Sequence, residues 1–258
     1  MMEKNKVVVI TGASSGIGSL VAYHLAMAGA VPVLCGRNEE RLRDAAQKIP
    51  SRCGIRLLDV TDDASVASTF KSIREEFGRV DVLINNAGFG FFKKFEDSPV
   101  EDFKAMMDTN YLGMVRCIKA VLPDMRERRS GHIINVASIA GKMATAKSSG
   151  YSASKHAVLG MTNALRQELS GSGIYVSAVN PGPIDTPFFA QADPGGTYAR
   201  NISSLMMKPE KVAKRIVGVV ERPRAEINIP WPFAVGTKIY QLFPRITDRI
   251  AGPMLNKK

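Results

Sequence analysis

Short apolar runs alternate with longer amphipathic stretches along most of the chain. The apolar runs are rich in β-branched residues and do not alternate with polar ones, which is typical of strands buried on both faces of a parallel sheet. They predict seven strands, at residues 6–11, 31–35, 55–60, 80–84, 131–137, 174–179 and 225–229. The stretches between them predict helices at residues 19–28, 39–49, 64–77, 100–128, 151–169 and 209–220.

This order of elements predicts the fold class and the number of domains. Strands that alternate with helices favour a doubly wound α/β architecture, in which a mostly parallel seven-stranded sheet has helices on both faces. The sequence contains no repeat, low-complexity run or linker that would divide its 258 residues. We therefore expect residues 1–258 to form a single domain, with residues 231–258 as a basic, amphipathic C-terminal extension.

Cysteine and histidine content narrows the classes of function. The three cysteines are scattered and the three histidines form no cluster, so the sequence predicts neither a disulfide framework nor a metal site. No signal peptide precedes the first apolar run, and no apolar stretch approaches the roughly 20 residues that a membrane span needs. These features favour a protein of the reducing cytoplasm.

Positive charge is concentrated near the C-terminus. The formal net charge is +11, and residues 201–258 hold 11 Lys and Arg against 4 Asp and Glu. Such a segment is able to attract anionic lipid, nucleic acid or an acidic substrate, although it is also compatible with an ordinary solvated surface. No nucleic-acid recognition motif accompanies the charge, so we expect no nucleic-acid partner.

A glycine-rich turn follows the first predicted strand and leads into a helix. The glycines are Gly12, Gly16 and Gly18, a spacing that differs from the common G-x-G-x-x-G. Glycines permit a tight turn and let backbone N–H groups approach a pyrophosphate at the positive end of the helix. The motif predicts a dinucleotide site in a Rossmann-type fold; a turn that binds no ligand is the alternative.

The end of the second strand bears on the type of dinucleotide. In such folds an acidic residue there binds the ribose 2′-hydroxyl of NAD, whereas an arginine suits the 2′-phosphate of NADP. This chain has Gly36 and then Arg37, and no carboxylate. A guanidinium matches the geometry of phosphate oxygens. We therefore predict NADP(H) rather than NAD(H), unless Arg37 merely faces solvent.

Tyr151 and Lys155 are four residues apart in a predicted helix and would lie on one face of it. A phenol with its usual pKa of about 10 is a poor proton shuttle at neutral pH, and a nearby cation would lower that pKa. Such pairs are common on surface helices, so this spacing means little by itself. Asn110, a weak helix former in mid-helix, suggests a special hydrogen bond.

Taken together, these residues resemble the short-chain dehydrogenase/reductase family over about residues 5–230. Ser138 stands thirteen residues before Tyr151, as the family pattern requires, and the motifs occur in the family's order. The matching pieces are TGASSGIG at 11–18, DV at 59–60, NNAG at 85–88, Asn110, Ser138, YSASK at 151–155 and PG at 181–182. The chain looks most like the bacterial NADP-dependent carbonyl reductases of this family.

This resemblance implies a reaction and four catalytic residues. The reaction is hydride transfer between NADP(H) and a carbonyl or secondary alcohol substrate. Tyr151 would be the general acid/base, and Lys155 would lower its pKa and bind the nicotinamide ribose. Ser138 would polarise the substrate oxygen, and Asn110 would support a water that leads protons to Lys155. A non-catalytic protein that senses NADP(H) is the alternative, although it would have little reason to keep these four residues together.

The resemblance also implies binding residues and an oligomer. Substrate would meet Ser138, Tyr151 and Phe188, and the aromatics at residues 89–95 suggest that it is apolar, although they equally suit a subunit contact or core packing. A homodimer or homotetramer is usual in the family. The implied cofactor-binding residues are Gly12, Ser14, Ser15, Gly16, Ile17, Gly18, Arg37, Asp59, Val60, Asn86, Ala87, Gly88, Tyr151, Lys155, Pro181, Gly182, Ile184 and Thr186.

The extension beyond residue 230 has an amphipathic helical spacing. Lys238, Arg245 and Arg249 accompany it, and Pro244 should kink or split the helix. It could cover the substrate pocket or a neighbouring subunit, lie on an anionic membrane with Trp231 and Phe233 at the interface, or pack on its own domain. The apolar positions are Val235, Ile239, Leu242, Ile246 and Ile250.

Overall fold

A single parallel sheet of seven strands organises the chain. The structure is a computed structural model that describes residues 4–247 and residue 249. The strand order is β3-β2-β1-β4-β5-β6-β7, and every neighbouring pair is parallel. The strands are β1 (Val7–Thr11), β2 (Val31–Gly36), β3 (Gly54–Leu57), β4 (Val82–Asn85), β5 (Gly131–Val136), β6 (Ile174–Pro181) and β7 (Glu226–Ile229). The predicted Rossmann-type sheet is thereby confirmed.

Helices connect the strands and cover both faces of the sheet. On one face α1 packs beside α9, and on the other α3 packs beside α5. The helices are α1 (Gly16–Met27), α2 (Glu39–Gln47), α3 (Asp63–Phe77), α4 (Val100–Met107), α5 (Gly113–Arg128), α6 (Ser149–Glu168), α7 (Phe188–Ala192), α8 (Thr197–Asn201), α9 (Pro209–Glu221) and α10 (Pro232–Leu242).

The central strands are buried because helices lie on both sides of them. In β1, Ile10 packs in the apolar cluster beneath α1 and α9, whereas Val9 packs in the opposite cluster with Phe70 of α3. All three side chains are fully buried. Two-sided burial explains why the strands read as continuous apolar runs rather than alternating ones. β1 has β2 on one side and β4 on the other, so the winding direction reverses there and opens a crevice at the carboxyl ends of the strands.

Two strands, β3 and β6, end two or more residues away from the predicted position. β3 ends at Leu57 because the Asp59 carboxylate accepts hydrogen bonds from the backbone N–H and the hydroxyl of Thr61, at 2.9 and 2.7 Å, which turns the chain. β6 runs on to Pro181 because it pairs with β7 as far as Ile229. Both of these strand ends lie at the carboxyl edge of the sheet, where the crevice lies.

The C-terminal extension forms α10, which ends at Leu242. Phe243 has φ −133° and ψ 57°, outside the helical region that the following Pro244 disfavours. The predicted break at Pro244 is therefore confirmed. Ile250 and the remaining residues through Leu255 lie outside the described part of the chain. Within residues 4–247 and residue 249, no helix is long and apolar enough to cross a membrane.

Candidate active site

A cavity of about 590 Å³ opens at the carboxyl ends of the strands, at the point where the winding reverses. Nearly every residue predicted to bind cofactor or substrate lines it, from the glycine turn at one end to Ser138, Tyr151 and Phe188 at the other. Two predicted site residues, Gly18 and Asn110, do not line the cavity but contact residues that do.

The glycine turn fits against the NNAG turn so closely that side chains are excluded. Gly12 has φ +64°, and a Cβ added to it would lie 2.8 Å from Ala87 Cα. A Cβ on Gly18 would lie 2.5 Å from the Gly12 carbonyl oxygen. The Asn86 amide donates to the carbonyl oxygens of Thr11 and Gly12, at 3.0 and 3.1 Å, and so ties the two turns together. Gly18 therefore has a packing role here, and its contact with a cofactor stays a prediction.

The N-terminus of α1 presents donors to the cavity. The helix begins at Gly16, which has φ +59°, and no side chain caps its first turn at Ser15. The first backbone N–H groups of a helix have no intrahelical partner, and they favour negative charge. The first turn also holds no acidic residue. The backbone N–H groups of this first turn suit the diphosphate of a dinucleotide.

Two arginines line the same end of the cavity. Arg37 follows β2, and Arg41 lies in the first turn of α2, where its backbone N–H donates to the capping Asn38 side chain at 2.9 Å. Arg41 was missed by sequence reasoning; the signal was its place in the first turn of the helix that directly follows Arg37.

The Asp59 carboxylate lies near Arg37 at this end of the cavity. Although burial by itself would raise the pKa of Asp59, hydrogen bonds from Thr61 and the positive charges of Arg37 and Arg116 hold that pKa below its usual value. Asp59 is therefore an anion at neutral pH, beside the cation that would read the phosphate.

Tyr151 and Lys155 lie one turn apart on α6, with the Lys155 Nζ 5.8 Å from the centre of the tyrosine ring. The Lys155 ammonium is buried and donates to the Val136 carbonyl oxygen at 2.9 Å. Burial lowers the pKa of Lys155 to about 8. Burial also raises the pKa of Tyr151 to about 12; the nearby Ser138 hydroxyl opposes this shift, and Tyr198 adds to it.

The direction of the tyrosine shift corrects an expectation from the sequence. The spacing of Tyr151 and Lys155 predicted a lowered phenol pKa, whereas the protein by itself raises it. The reason is that removal of the phenolate from water raises the pKa more than the Ser138 hydrogen bond lowers it. The Lys155 ammonium donates instead to the Val136 carbonyl oxygen. The phenol is therefore protonated at neutral pH.

Asn110 holds the loop that follows β4. It lies in a π-helical segment, Asp108–Leu112, which interrupts the helix predicted for residues 100–128. Its side-chain oxygen accepts from the Phe89 N–H at 2.9 Å, and its amide donates to the Phe89 carbonyl at 2.8 Å and to the Ser154 hydroxyl at 2.9 Å. Because its side chain bonds both to Phe89 in the loop and to Ser154 in α6, Asn110 joins the loop to α6 directly. Its support of a water beside Lys155 stays a prediction.

Replacement of Asn110 with alanine should lower the free energy of unfolding by about 1–3 kcal/mol, because the variant leaves the Phe89 N–H and carbonyl without partners. Chemical denaturation of wild type and variant measures this loss. Ser154→Ala, which removes one of the three hydrogen bonds, should cost less. An Asn110→Ala protein that unfolds at the wild-type denaturant concentration would contradict this role.

Aromatic side chains close the cavity around Tyr151. The Tyr151 ring centre is 5.9 Å from that of Phe92 and 5.5 Å from that of Phe188, and Phe92 is 4.9 Å from Tyr198. Phe92 and Tyr198 were not singled out by sequence reasoning, although Phe92 belongs to the aromatic run at residues 89–95. The run was expected to form a substrate wall, a subunit contact or part of the core. Phe92 forms part of the cavity wall, whereas Phe95 is 70% exposed.

Comparisons with known proteins agree with this geometry. The family model described as short chain dehydrogenase matches residues 6–195. An uncharacterised oxidoreductase of Staphylococcus saprophyticus is 38% identical over 230 residues, which covers 88% of this chain and 95% of the relative. Dehydrogenase/reductase SDR family member 7B of Xenopus laevis is 38% identical over 237 residues, which covers 86% of this chain and 73% of that protein.

Solved structures of similar fold include other dehydrogenases and reductases. A serine dehydrogenase complexed with NADP+ is 30% identical, with a TM-score of 0.80 over 86% of this chain and 94% of the other. An actinorhodin polyketide ketoreductase with NADPH is 31% identical, with a TM-score of 0.80 over 87% of this chain and 95% of the other. With the family model, the relatives and the fold in agreement, the chain belongs to the short-chain dehydrogenase/reductase family.

Proposed function

We propose that the protein is an NADP(H)-dependent oxidoreductase that transfers hydride between the nicotinamide and a carbonyl or secondary alcohol substrate. One observation carries the proposal: Ser138, Tyr151 and Lys155 line one end of a single cavity, and Arg37 and Arg41 line the other. Oxidation of NADPH when an apolar ketone is added, followed by absorbance, tests it.

Several features of the cavity support NADP(H) as the cofactor. The glycine turn and the first turn of α1 would hold the diphosphate, and Arg37 with Arg41 would bind the 2′-phosphate. Some NADP-preferring relatives carry a basic residue where Ser15 stands, so selectivity here would depend on the two arginines. Two structural relatives bind NADP+ or NADPH, which agrees with this choice.

The residues around Tyr151 would supply the proton chemistry. Bound NADP(H) provides the hydride or accepts it. The Tyr151 phenol would donate its proton to the substrate oxygen during reduction, while the Ser138 hydroxyl donates a hydrogen bond to the same oxygen. Lys155 would hold the nicotinamide ribose and stabilise the tyrosinate that remains. Since the phenol is protonated at neutral pH, it is in the form that donates a proton during carbonyl reduction.

Carbonyl reduction should slow as the pH rises through about 8. Burial lowers the pKa of Lys155 to about 8 and raises that of Tyr151 to about 12, so Lys155 loses its proton first. The neutral amine no longer offers a positive charge beside the phenol. The kcat/KM for a ketone, measured from about pH 6 to about pH 10, should therefore be level at first and then fall.

A matched variant separates this titration from other pH effects. Lys155→Arg keeps its charge over the whole range, so the activity that it retains should lack the fall near pH 8. A wild-type profile that stays level to about pH 10 would show that the Lys155 charge is not required.

The aromatic wall supports an apolar carbonyl substrate. Phe92 and Phe188 contact the Tyr151 ring. Phe189 and Tyr198 pack against Phe92, and all four aromatic side chains line the cavity. Such walls bind by burial of apolar surface, while a few polar groups orient the reacting atom. We also propose a cytoplasmic location and a homodimer or homotetramer, since members of the family are commonly oligomeric.

A further inference from the structure

Helix α10 and the residue that caps its N-terminus carry a row of exposed apolar side chains, here called the apolar stripe: Trp231, Val235, Ile239 and Leu242. Their exposed fractions are 73%, 50%, 51% and 73%. At about 100° of rotation per residue, these positions fall within an arc of roughly 80°. The stripe therefore occupies one side of the helix, and that side faces solvent.

The opposite side of α10 fixes the helix to the domain. Phe233 and Thr237 lie roughly 180° from the centre of the apolar stripe. Thr237 is buried, and the Phe233 ring packs so close to Gly182 that an added Cβ there would lie 2.5 Å from it. Phe233 also lines the cavity. The inner side of the extension thus packs on its own domain beside the cavity, as two of its expected placements require, whereas the apolar stripe stays exposed. Phe233 belongs to the inner side, which corrects its placement at a membrane interface.

Positive charges flank the apolar stripe. Lys238 is exposed within α10, and Arg245 is exposed beyond its end, near the exposed Phe243 and Ile246. Residues 227–258 contain five Lys and Arg and a single acidic residue, Asp248. An apolar stripe with cations beside it is the pattern of a helix that lies in the surface of a membrane.

We propose that the apolar stripe docks on the surface of an anionic lipid bilayer. The charge distinguishes this occupant from a second copy of the chain, since a symmetric contact would place two copies of the same basic surface against each other. Anionic headgroups would instead neutralise these charges.

The chain contains a built-in probe of this surface. Trp231 is the only tryptophan in the sequence and belongs to the apolar stripe. Its fluorescence should shift to the blue and become protected from acrylamide when vesicles of phosphatidylglycerol and phosphatidylcholine are added. Vesicles of phosphatidylcholine alone should produce little change, and added salt should weaken the response to the anionic vesicles. Membrane binding is measured without turnover, so its failure is distinguishable from failure of the proposed oxidoreductase activity.

Paired variants test the two components of the surface. Ile239→Glu with Leu242→Glu, and separately Lys238→Glu with Arg245→Glu, should each weaken vesicle binding by roughly tenfold or more. Met27→Glu and Lys48→Glu, at exposed positions elsewhere, are the matched controls and should bind like wild type. NADPH affinity should be unchanged in all of them, which also shows that they are folded.

Three results would overturn the proposal. One is an unchanged Trp231 spectrum with anionic vesicles. Another is equal binding to anionic and neutral vesicles, which would remove the role of the charges. The third is a Trp231 spectrum that depends on protein concentration without lipid, together with a smaller sedimenting species for the Ile239→Glu, Leu242→Glu protein; the stripe would then be an interface between copies.

Discussion

Replacement of Tyr151 with phenylalanine should lower kcat for carbonyl reduction by roughly 10²–10⁴-fold, the usual contribution of a positioned general acid. The change removes only the hydroxyl. The ring should still pack against Phe92 and Phe188, whose centres lie 5.9 and 5.5 Å away, so the cavity keeps its shape. NADPH affinity, measured by titration of its fluorescence, should therefore stay close to that of wild type.

Tyr198 offers a matched control for this experiment. Its ring contacts the same Phe92, and Tyr198→Phe makes the same chemical change at a neighbouring position. That variant should keep most of the wild-type kcat, because Tyr198 has no assigned role in proton transfer. A Tyr151→Phe protein that reduces ketones nearly as fast as wild type would refute the proposed mechanism.

Replacement of Arg37 with alanine should raise the KM for NADPH by roughly 10- to 100-fold while the KM for NADH changes little. A hydrogen bond to a charged group contributes about 1.5–3 kcal/mol, which corresponds to that range. The two cofactors differ only in the 2′-phosphate, so the ratio of their KM values isolates the contact that Arg37 would make. Steady-state rates with both cofactors at a fixed ketone concentration give the ratio.

Alanine variants of two neighbouring arginines serve as comparisons for Arg37→Ala. Arg41→Ala should act in the same direction as Arg37→Ala, since both guanidinium groups line the same end of the cavity. Arg43 is exposed on the same helix but pairs with Glu39, so Arg43→Ala should leave both KM values unchanged. Equal effects of Arg37→Ala on NADPH and NADH would show that Arg37 does not read the phosphate.

The alternation of strands and helices and the position of the cavity could be predicted because both depend on local patterns. Apolar runs such as residues 6–11 identify buried strands, and glycines with φ near +60° identify the turn. The exact strand ends could not be predicted. β3 stops where Asp59 bonds to Thr61, and β6 continues because β7, 45 or more residues later, supplies a partner. Such ends depend on tertiary pairing rather than on local sequence.

Features of the site that depend on distant contacts were the ones missed. Tyr198 reaches Phe92 only because α8 folds back over the cavity, and no local motif marks it. The pKa of Tyr151 depends on how completely the fold removes it from water, which helix spacing does not reveal. In the extension, the period of the apolar residues predicted a helix, but which side would be buried was decided by Phe233 and Gly182.

The most direct test of the central claim is the rate at which the purified protein oxidises NADPH and NADH across a panel of apolar ketones and aldehydes. We expect turnover with at least one apolar carbonyl, with kcat/KM at least about tenfold higher for NADPH than for NADH. Tight binding of NADPH without turnover of any carbonyl would contradict the assignment and point to a protein that binds the cofactor without using it.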